Sequence, residues 1–592
     1  MKLSVTNKRW IYEDPNYRQV QTLIQKHELP DSVARILVRR GFDCGNIDSF
    51  LNPKLKDLLP NPLNLLDMEK AVSRMIIALQ NQEKIIIFGD YDVDGATSSS
   101  LLLRFLKPLT PHVSFYIPDR ITEGYGPSLP AFDTFLKEGV KLIITVDCGT
   151  AAHAPLAFAK DNGMDVIVFD HHVAESKLPE AYALVNPNRL DEISETSKKT
   201  RHLAAVGVSF LFATALSKRI KTDLPEMITH LPDLLSLLDL VALGTVCDVM
   251  PLTGLNRAFV KQGLKVINLR KNIGLKALAD IAGLNETPST YHLGFLLGPR
   301  INAGGRVGAS DLGTRLLTTP DHYEAQKIST ELNHLNQERQ DIEAVVLEEA
   351  LQLAELQQNH PVLFLAHAGW HEGVIGIVAG RLKDRFQKPT FIVALNEGVG
   401  KGSARSIPGF DVGTLIHNAH HRGLLLGGGG HAMAGGVSVT IDQIPEFHNY
   451  LNESYLQLSE NTDFSPFLEI DGILGLHALK GDILDHLEKM MPFGVGNPSP
   501  KFLFEGVRLK YWKIVGENHL SLQLSQDDRT TFKAMAFRSL GTPLGELLQK
   551  NKGEPLDFVA TLKRDTWGGR NEIQLMVEDV RASVYEAQKL VS

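Results

Sequence analysis

Cysteine is scarce in this sequence: Cys44, Cys148 and Cys247 are the only three in 592 residues. Three scattered thiols build neither a disulfide framework nor a zinc ribbon, and they point to a reducing, cytoplasmic setting. Long apolar runs are also missing. The best membrane candidate, residues 231–250, is interrupted by Asp233, Asp239 and Asp248, so no membrane association is expected. The opening stretch, MKLSVTNKRWIYEDPNYRQV, has no apolar core of a secretory signal. Positive charge is not in excess either, with 61 Lys and Arg against 69 Asp and Glu and a net charge of −8. Coating duplex DNA by bulk charge is thereby excluded; a local basic groove for phosphates is not. No internal repeat or low-complexity tract breaks the chain.

What is present reads as ordinary globular protein, 43% hydrophobic and 22% charged. The length suits roughly three or four domains. Residues 1–70 read as a small helical lead-in. Over 71–318 amphipathic helices alternate with the apolar runs KIIIF, HVSFYI, KLIITV and DVIVF, which predicts a parallel sheet covered on both faces. That lobe ends in a stretch read as a Gly-rich turn, GPRINAGGRVGAS. Over 319–359 the sequence lacks Gly and Pro from Asp321 to Asn359, which predicts one connecting helix of roughly 55–60 Å. A second α/β unit, 360–463, opens with PVLFLA and continues with PTFIVAL. The last region, 464–592, is rich in strand-like runs and fits a small β-barrel. The expected fold class is thus α/β, with two α/β lobes joined by a long helix, plus a barrel.

The chemistry gathers at strand ends. IIIFGDYDVDGAT runs from apolar residues into Asp90, Asp92 and Asp94; KLIITVDCGT ends in Asp147; DVIVFDHH ends in Asp170, His171 and His172. A further acid, Asp248, follows the helix-like apolar run of LVALGTVCDVMPL. Carboxyl ends of parallel strands meet along one sheet edge, where ligands bind. Carboxylates crowded there repel one another unless cations neutralise them. Oxygen ligands with a neutral imidazole suit Mn²⁺ or Mg²⁺, and the number of acids suits a pair of ions acting at phosphorus. Plainer readings stand beside this one. Asp94 could cap a helix, Asp170 could orient a neighbour, and Cys148 and Cys247 read as small residues behind the site.

In this order DYDVDGATS, TVDCGT, VFDHH and ALGTVCDVMPL resemble the DHH phosphoesterase superfamily, and within it the RecJ single-strand-DNA-specific exonucleases. YIPDRITEGYGPS, WHEGVIGIVAGRL, GKGSARS, LLGGGGHAMAGG and PFGVGNPSPKF extend the resemblance over about 50–580. The resemblance implies a DHH lobe, a DHHA1-like nucleic-acid-binding lobe and an OB-fold closing the cleft into a channel. It implies metal ligation by Asp90, Asp92, Asp94, Asp147, His171 and Asp248. Asp147, His171 and His172 are implied as catalytic, with His172 near the scissile phosphate. The implied reaction is 5′→3′ hydrolysis of single-stranded DNA with Mn²⁺ or Mg²⁺, in recombination and mismatch repair. A helicase and a single-strand-binding protein are the expected partners of a monomer. The rival readings are a phosphatase acting on small nucleotides or pyrophosphate, and a non-catalytic DNA-binding scaffold. One departure is NAGGR at Asn302–Arg306 where the family often has NAAGR; the extra glycine is read as loosening a turn.

Arginine pairs with phosphate bidentately and glycine lets backbone N–H groups approach it. Arg120, Arg300, Asn302, Arg306, Ser403, Arg405, Ser406 and His431 are therefore the expected nucleic-acid and 5′-phosphate contacts, Arg405 foremost. In the barrel region Phe502, Phe504, Tyr511, Trp512, Phe532 and Trp567 interleave with Lys501, Arg508, Lys510, Lys513 and Lys563. Such faces stack bases in OB-folds, although many of these rings are expected to be core.

Overall fold

The computed structural model describes residues 3–120, 122–479, 481–527, 530–565 and 572–583. The chain divides into two compact units, one of Pro60–Met250 with Gln262–Phe464, the other of Met1–Leu59, Pro251–Lys261 and Ser465–Ser592.

The larger unit opens with a five-stranded sheet of β1 (Ile85–Gly89), β2 (Val113–Tyr116), β3 (Leu142–Val146), β4 (Asp165–Phe169) and β5 (Ala183–Val185), in the order β2-β1-β3-β4-β5. Every pairing in it is parallel. All residues of β1 and β3 are buried, as expected for strands covered on both faces. Full burial of such a Val, Ile or Phe side chain contributes about 1.5–3 kcal/mol, so the sheet is a stiff platform for the residues just beyond its strand ends. Helix α1 (Val93–Leu106) leaves β1 directly, and α2 (Ala205–Asp223) and α3 (Leu238–Cys247) pack on it. The β1–α1 junction requires glycine, since a Cβ on Gly95 would lie 2.3 Å from the Asp90 carbonyl oxygen.

The stretch expected as a Gly-rich turn is a helix, α4 (Gly298–Val307). The departure at NAGGR is accordingly no loosened turn. A Cβ on Gly304 would meet the Ala309 carbonyl at 3.0 Å and Leu332 at 3.3 Å, so the small residue permits close packing. The connecting helix is continuous: α5 (His322–Leu356) has 35 residues, hence about 52 Å, and Asp321 caps it by accepting from the Tyr323 N–H. Its buried residues, among them Ile328, Leu332, Arg339, Glu343, Val346 and Ala350, recur every three or four positions. Beyond it, α6 (Glu372–Phe386) and α7 (Val412–His421) flank a second sheet. Its strands β6 (Leu363–Ala368), β7 (Thr390–Asn396), β8 (Val399–Arg405), β9 (Gly427–His431) and β10 (Ala434–Thr440) run in the order β9-β10-β8-β7-β6. Only β6 and β7 pair in parallel.

In the smaller unit β11 (Lys501–Val515), β12 (His519–Ser525), β13 (Phe532–Ala536), β14 (Pro555–Asp565) and β15 (Glu572–Ala582) close into a five-stranded barrel through the β11–β14 pairing. The first residues of the chain belong here and form no separate lead-in. Arg9–Ile11 pairs in parallel with Phe467–Glu469, and Val33, Ile36 and Leu37 share one core with Phe502, Phe504 and Phe558. Phe502 and Phe504 are therefore core and not stacking faces. Trp512 and Phe532 pack partly buried against that core, Tyr511 is exposed, and Trp567 lies outside the described residues. Among the described residues no helix is long and apolar enough to cross a membrane.

Candidate active site

Strand register builds the site. Gly89 aligns with Val146, and Val146 with Phe169, so the next residues, Asp90, Asp147 and Asp170, form a row at the carboxyl edge of β1, β3 and β4. Asp248 joins them as the residue closing α3. His171 stands among the acids, its Nε2 3.2 Å from Asp147, 3.5 Å from Asp248 and 3.9 Å from Asp94. Ligand atoms converge in three overlapping groups: Asp90, Asp92 and Asp147; Asp94, His171 and Asp248; and Asp147, His171 and His172. Asp147 takes a left-handed backbone with φ 59°, an uncommon state for a residue with a side chain, and Tyr125 pins it by donating its hydroxyl to the Asp147 carbonyl at 2.9 Å.

Caps are distributed differently from the expectation. Asp92 caps α1 by accepting from the Gly95 N–H at 3.1 Å. Asp94 instead receives the N–H groups of Ala205 at 2.6 Å and Val206 at 3.0 Å, at the start of α2. Asp170 orients its neighbours: it accepts from the His171 and His172 N–H groups, from Thr150, and from His172 Nδ1 at 2.7 Å. Two residues without a sequence signal hold the histidine loop. Asn186 donates to the His172 carbonyl and Asn188 to that of His171, both from the segment after the three-residue β5, too short to read from periodicity.

The charges of Asp90, Asp94, Asp147 and Asp248 are poorly compensated by the described residues around them. Burial and the neighbouring carboxylates push Asp94 up to about 7 and Asp248 up to about 9, and hold Asp90 and Asp147 well above the ordinary range. Asp90 Oδ1, Asp147 Oδ1 and Asp248 Oδ2 are buried without a hydrogen-bond partner. Burial, with His172 beside it, lowers His171 to about 4 and leaves its imidazole neutral. Burial also opposes protonation of His172, but the Asp170 hydrogen bond and charge prevail and raise it to about 9. Against burial, the hydrogen bond and charge of His172 hold Asp170 below the usual carboxylate range. Orphaned carboxylate oxygens around a neutral imidazole are the donor set of hard divalent cations. Burial drives the Cys148 and Cys247 thiols upward, so neither offers a thiolate.

The expected phosphate contacts separate into two groups. Arg120 lies over the Tyr91 ring at 5.0 Å, and its charge reaches Asp90. Arg306 is lowered to about 10, first by burial and then by the charges of Arg120 and Arg339, with Asp92 opposing and Arg405 adding a smaller push. It donates to the Gly373 carbonyl at 2.7 Å. Arg405 bonds its own strand, through the Ala404 carbonyl and Ser403 Oγ. His431 pairs with Ala434 in the sheet, and Ala434 in turn with Arg405. Arg120, Arg306, Ser403, Arg405 and His431 thus gather beside the acid row. Arg300 is instead tied to Asn333 and to the Leu296 carbonyl, with half-buried Asn302 on the same helix. Ser406 drops out as a phosphate contact, because it is buried and its hydroxyl donates to the Phe410 carbonyl, closing a turn.

An acid row on a parallel sheet, a second α/β lobe and a five-stranded barrel define a multidomain phosphoesterase. The DHH family, N-terminal domain, matches residues 84–245; the DHHA1 domain matches 359–455; the RecJ OB domain matches 470–579. The single-stranded-DNA-specific exonuclease RecJ of Bacillus subtilis (strain 168) is 35% identical over 585 residues, 98% of this chain and 71% of its own. That of Haemophilus influenzae is 35% identical over 94% of this chain and 99% of its own. The crystal structure of RecJ from Thermus thermophilus in complex with Mn²⁺ superposes with a TM-score of 0.81 at 30% identity, covering 97% of this chain and 79% of that one. Its Mg²⁺ complex gives 0.75 at 29% identity, covering 97% and 78%. The chain belongs to the RecJ family of single-stranded-DNA-specific exonucleases.

Proposed function

We propose that this chain hydrolyses single-stranded DNA stepwise from the 5′ end with two divalent ions, Mn²⁺ or Mg²⁺. The observation that carries the reading is the row of buried carboxylates whose unpartnered oxygens surround neutral His171. Asp94, His171 and Asp248 would hold one ion, and Asp90, Asp92 and Asp147 the other. Bound there, the ions supply Lewis acidity and an activated water for in-line attack at phosphorus. The protein's own share is positional. Asp170 anchors protonated His172 through Nδ1, which directs the remaining face of a cationic ring to a phosphate oxygen. Arg405 and Ser403, with Arg120 and Arg306, are proposed to receive the terminal 5′ phosphate at a fixed distance from the acids and so to select that strand end. Desolvation favours this role, since Arg306 and Arg405 are both depressed by burial and gain most from an anion.

Around this chemistry we place a monomer acting in the cytoplasm in recombination and mismatch repair, with a helicase and a single-strand-binding protein as partners. The test uses one oligomer labelled at either end in separate reactions, in Mn²⁺, Mg²⁺ or EDTA, with a blunt duplex control. Mononucleotide released first from the 5′ label, lost in EDTA and absent on duplex, is the expected result. Release from the 3′ label first would reverse the polarity; binding without cleavage in either metal would favour a scaffold.

A further inference from the structure

Two large rings stand in solvent on a segment that packs against the end of α3. Tyr291 is 64% and Phe295 73% exposed, and the rings stack with centroids 5.3 Å apart and planes 28° from parallel. They lie four positions apart where the backbone widens into a π-helical segment, His292–Leu297, a geometry frequent at functional sites. The opposite side of this segment is anchored. His292 accepts from the Ser289 N–H at Nδ1 and meets Glu286 through Nε2, and Leu293 and Leu297 are buried. The segment also packs on the last turn of α3, which ends in Asp248. The Cys247 thiol donates to the Leu293 carbonyl at 3.3 Å, and a Cβ on Gly298 would lie 2.5 Å from that sulfur. The rings therefore ride on a rigid base one residue removed from an acid of the row.

Side-chain pairs four apart on a helix stabilise it only weakly, which does not explain leaving two aromatic faces in water. Nucleobases do explain it. A strand with one phosphate at the acid row must carry its neighbouring bases past the adjoining surface, and every base has a face that stacks on an aromatic ring. We propose that Tyr291 and Phe295 form a stacking platform for bases of the bound single strand. This rests on the single-strand exonuclease reading above and adds a subsite to it. The occupant is a nucleobase rather than an apolar peptide because the segment that carries the rings packs on the helix ending in Asp248, where the strand's phosphates would lie.

The experiment uses the full chain and single strands of about twelve nucleotides carrying 2-aminopurine, or an abasic site, at successive positions. Binding is read in EDTA, where hydrolysis is off. In the wild type 2-aminopurine should be quenched at one or two positions, and an abasic site there should weaken binding by roughly tenfold. The Tyr291→Ala/Phe295→Ala variant should lose that quenching, bind the intact strand as weakly as the wild type binds the abasic one, and suffer no further loss from the abasic site. Tyr291→Trp/Phe295→Trp should restore both signals. Wild-type cleavage of single strands together with equal abasic penalties in both proteins would overturn this inference alone. Absence of any cleavage of single strands by the wild type would overturn the exonuclease reading, and this platform with it.

Discussion

The acid row and the guanidinium group beside it are assembled in different ways. The acids come from register: Asp90 and Asp147 each follow a buried strand of one parallel sheet, so backbone pairing alone aligns them. The arginines have no common scaffold. Arg120 lies in a loop, Arg306 on α4, Arg339 on α5 and Arg405 on β8, and only tertiary packing brings their charges within reach of one another. Register tolerates little variation, whereas packing can be tuned one side chain at a time. The acids should therefore carry the reaction and the arginines its choice of strand end.

The sharpest way to break that division is Asp147→Ala. Single-turnover release of mononucleotide should fall roughly a thousandfold or more, since several kcal/mol of charge stabilisation goes with the ligand, while far-UV circular dichroism stays unchanged. Asp170→Asn should cost about 10–100-fold, the usual cost of removing a group that orients a site from behind. It should also move the alkaline limb of the rate profile to lower pH, because His172 loses the partner that keeps it protonated. Arg405→Ala should lower kcat/KM on 5′-phosphorylated strands by roughly 10–100-fold, as expected for losing a charged hydrogen bond, and leave 5′-hydroxyl strands near the wild-type rate. An equal loss on both would break the contrast between chemistry and end selection.

Stability should respond to pH through the same acids. Asp94 at about 7 and Asp248 at about 9 lie above their ordinary value of 3.8, so the metal-free folded state binds more protons than the unfolded state. Their stabilising contribution is complete below the unfolded value and is lost as pH rises through the folded ones. Melting temperatures in EDTA should therefore fall from about pH 4 to about pH 9, Mn²⁺ should restore them, and Asp248→Asn should flatten the slope. The smallest effect belongs to Ser406→Ala. It should cost about 1–3 kcal/mol in denaturant unfolding, through the Phe410 carbonyl left without its donor, and leave end selectivity unchanged.

The strands β1, β3 and β4 and the unbroken α5 were legible in the sequence, because each is a local pattern: an apolar run of strand length, or a long stretch of helix formers without Gly or Pro. The acids were legible because they adjoin those runs. Glycine misled at one place: GPRINAGGRV suggested a turn and is helical, because tertiary packing selects small residues where elements approach closely. Tyr125, Asn186 and Asn188 carried no local signal, since their partners are backbone carbonyls far along the chain. Ser406 looked like its neighbour Ser403, yet one is buried against Phe410 and the other faces Arg405. Local pattern and backbone register thus determined the sheet and its row of acids. Which polar side chains turn toward that row, and the inclusion of the first 59 residues in the barrel's unit, depended on long-range packing, which no stretch of sequence encodes alone.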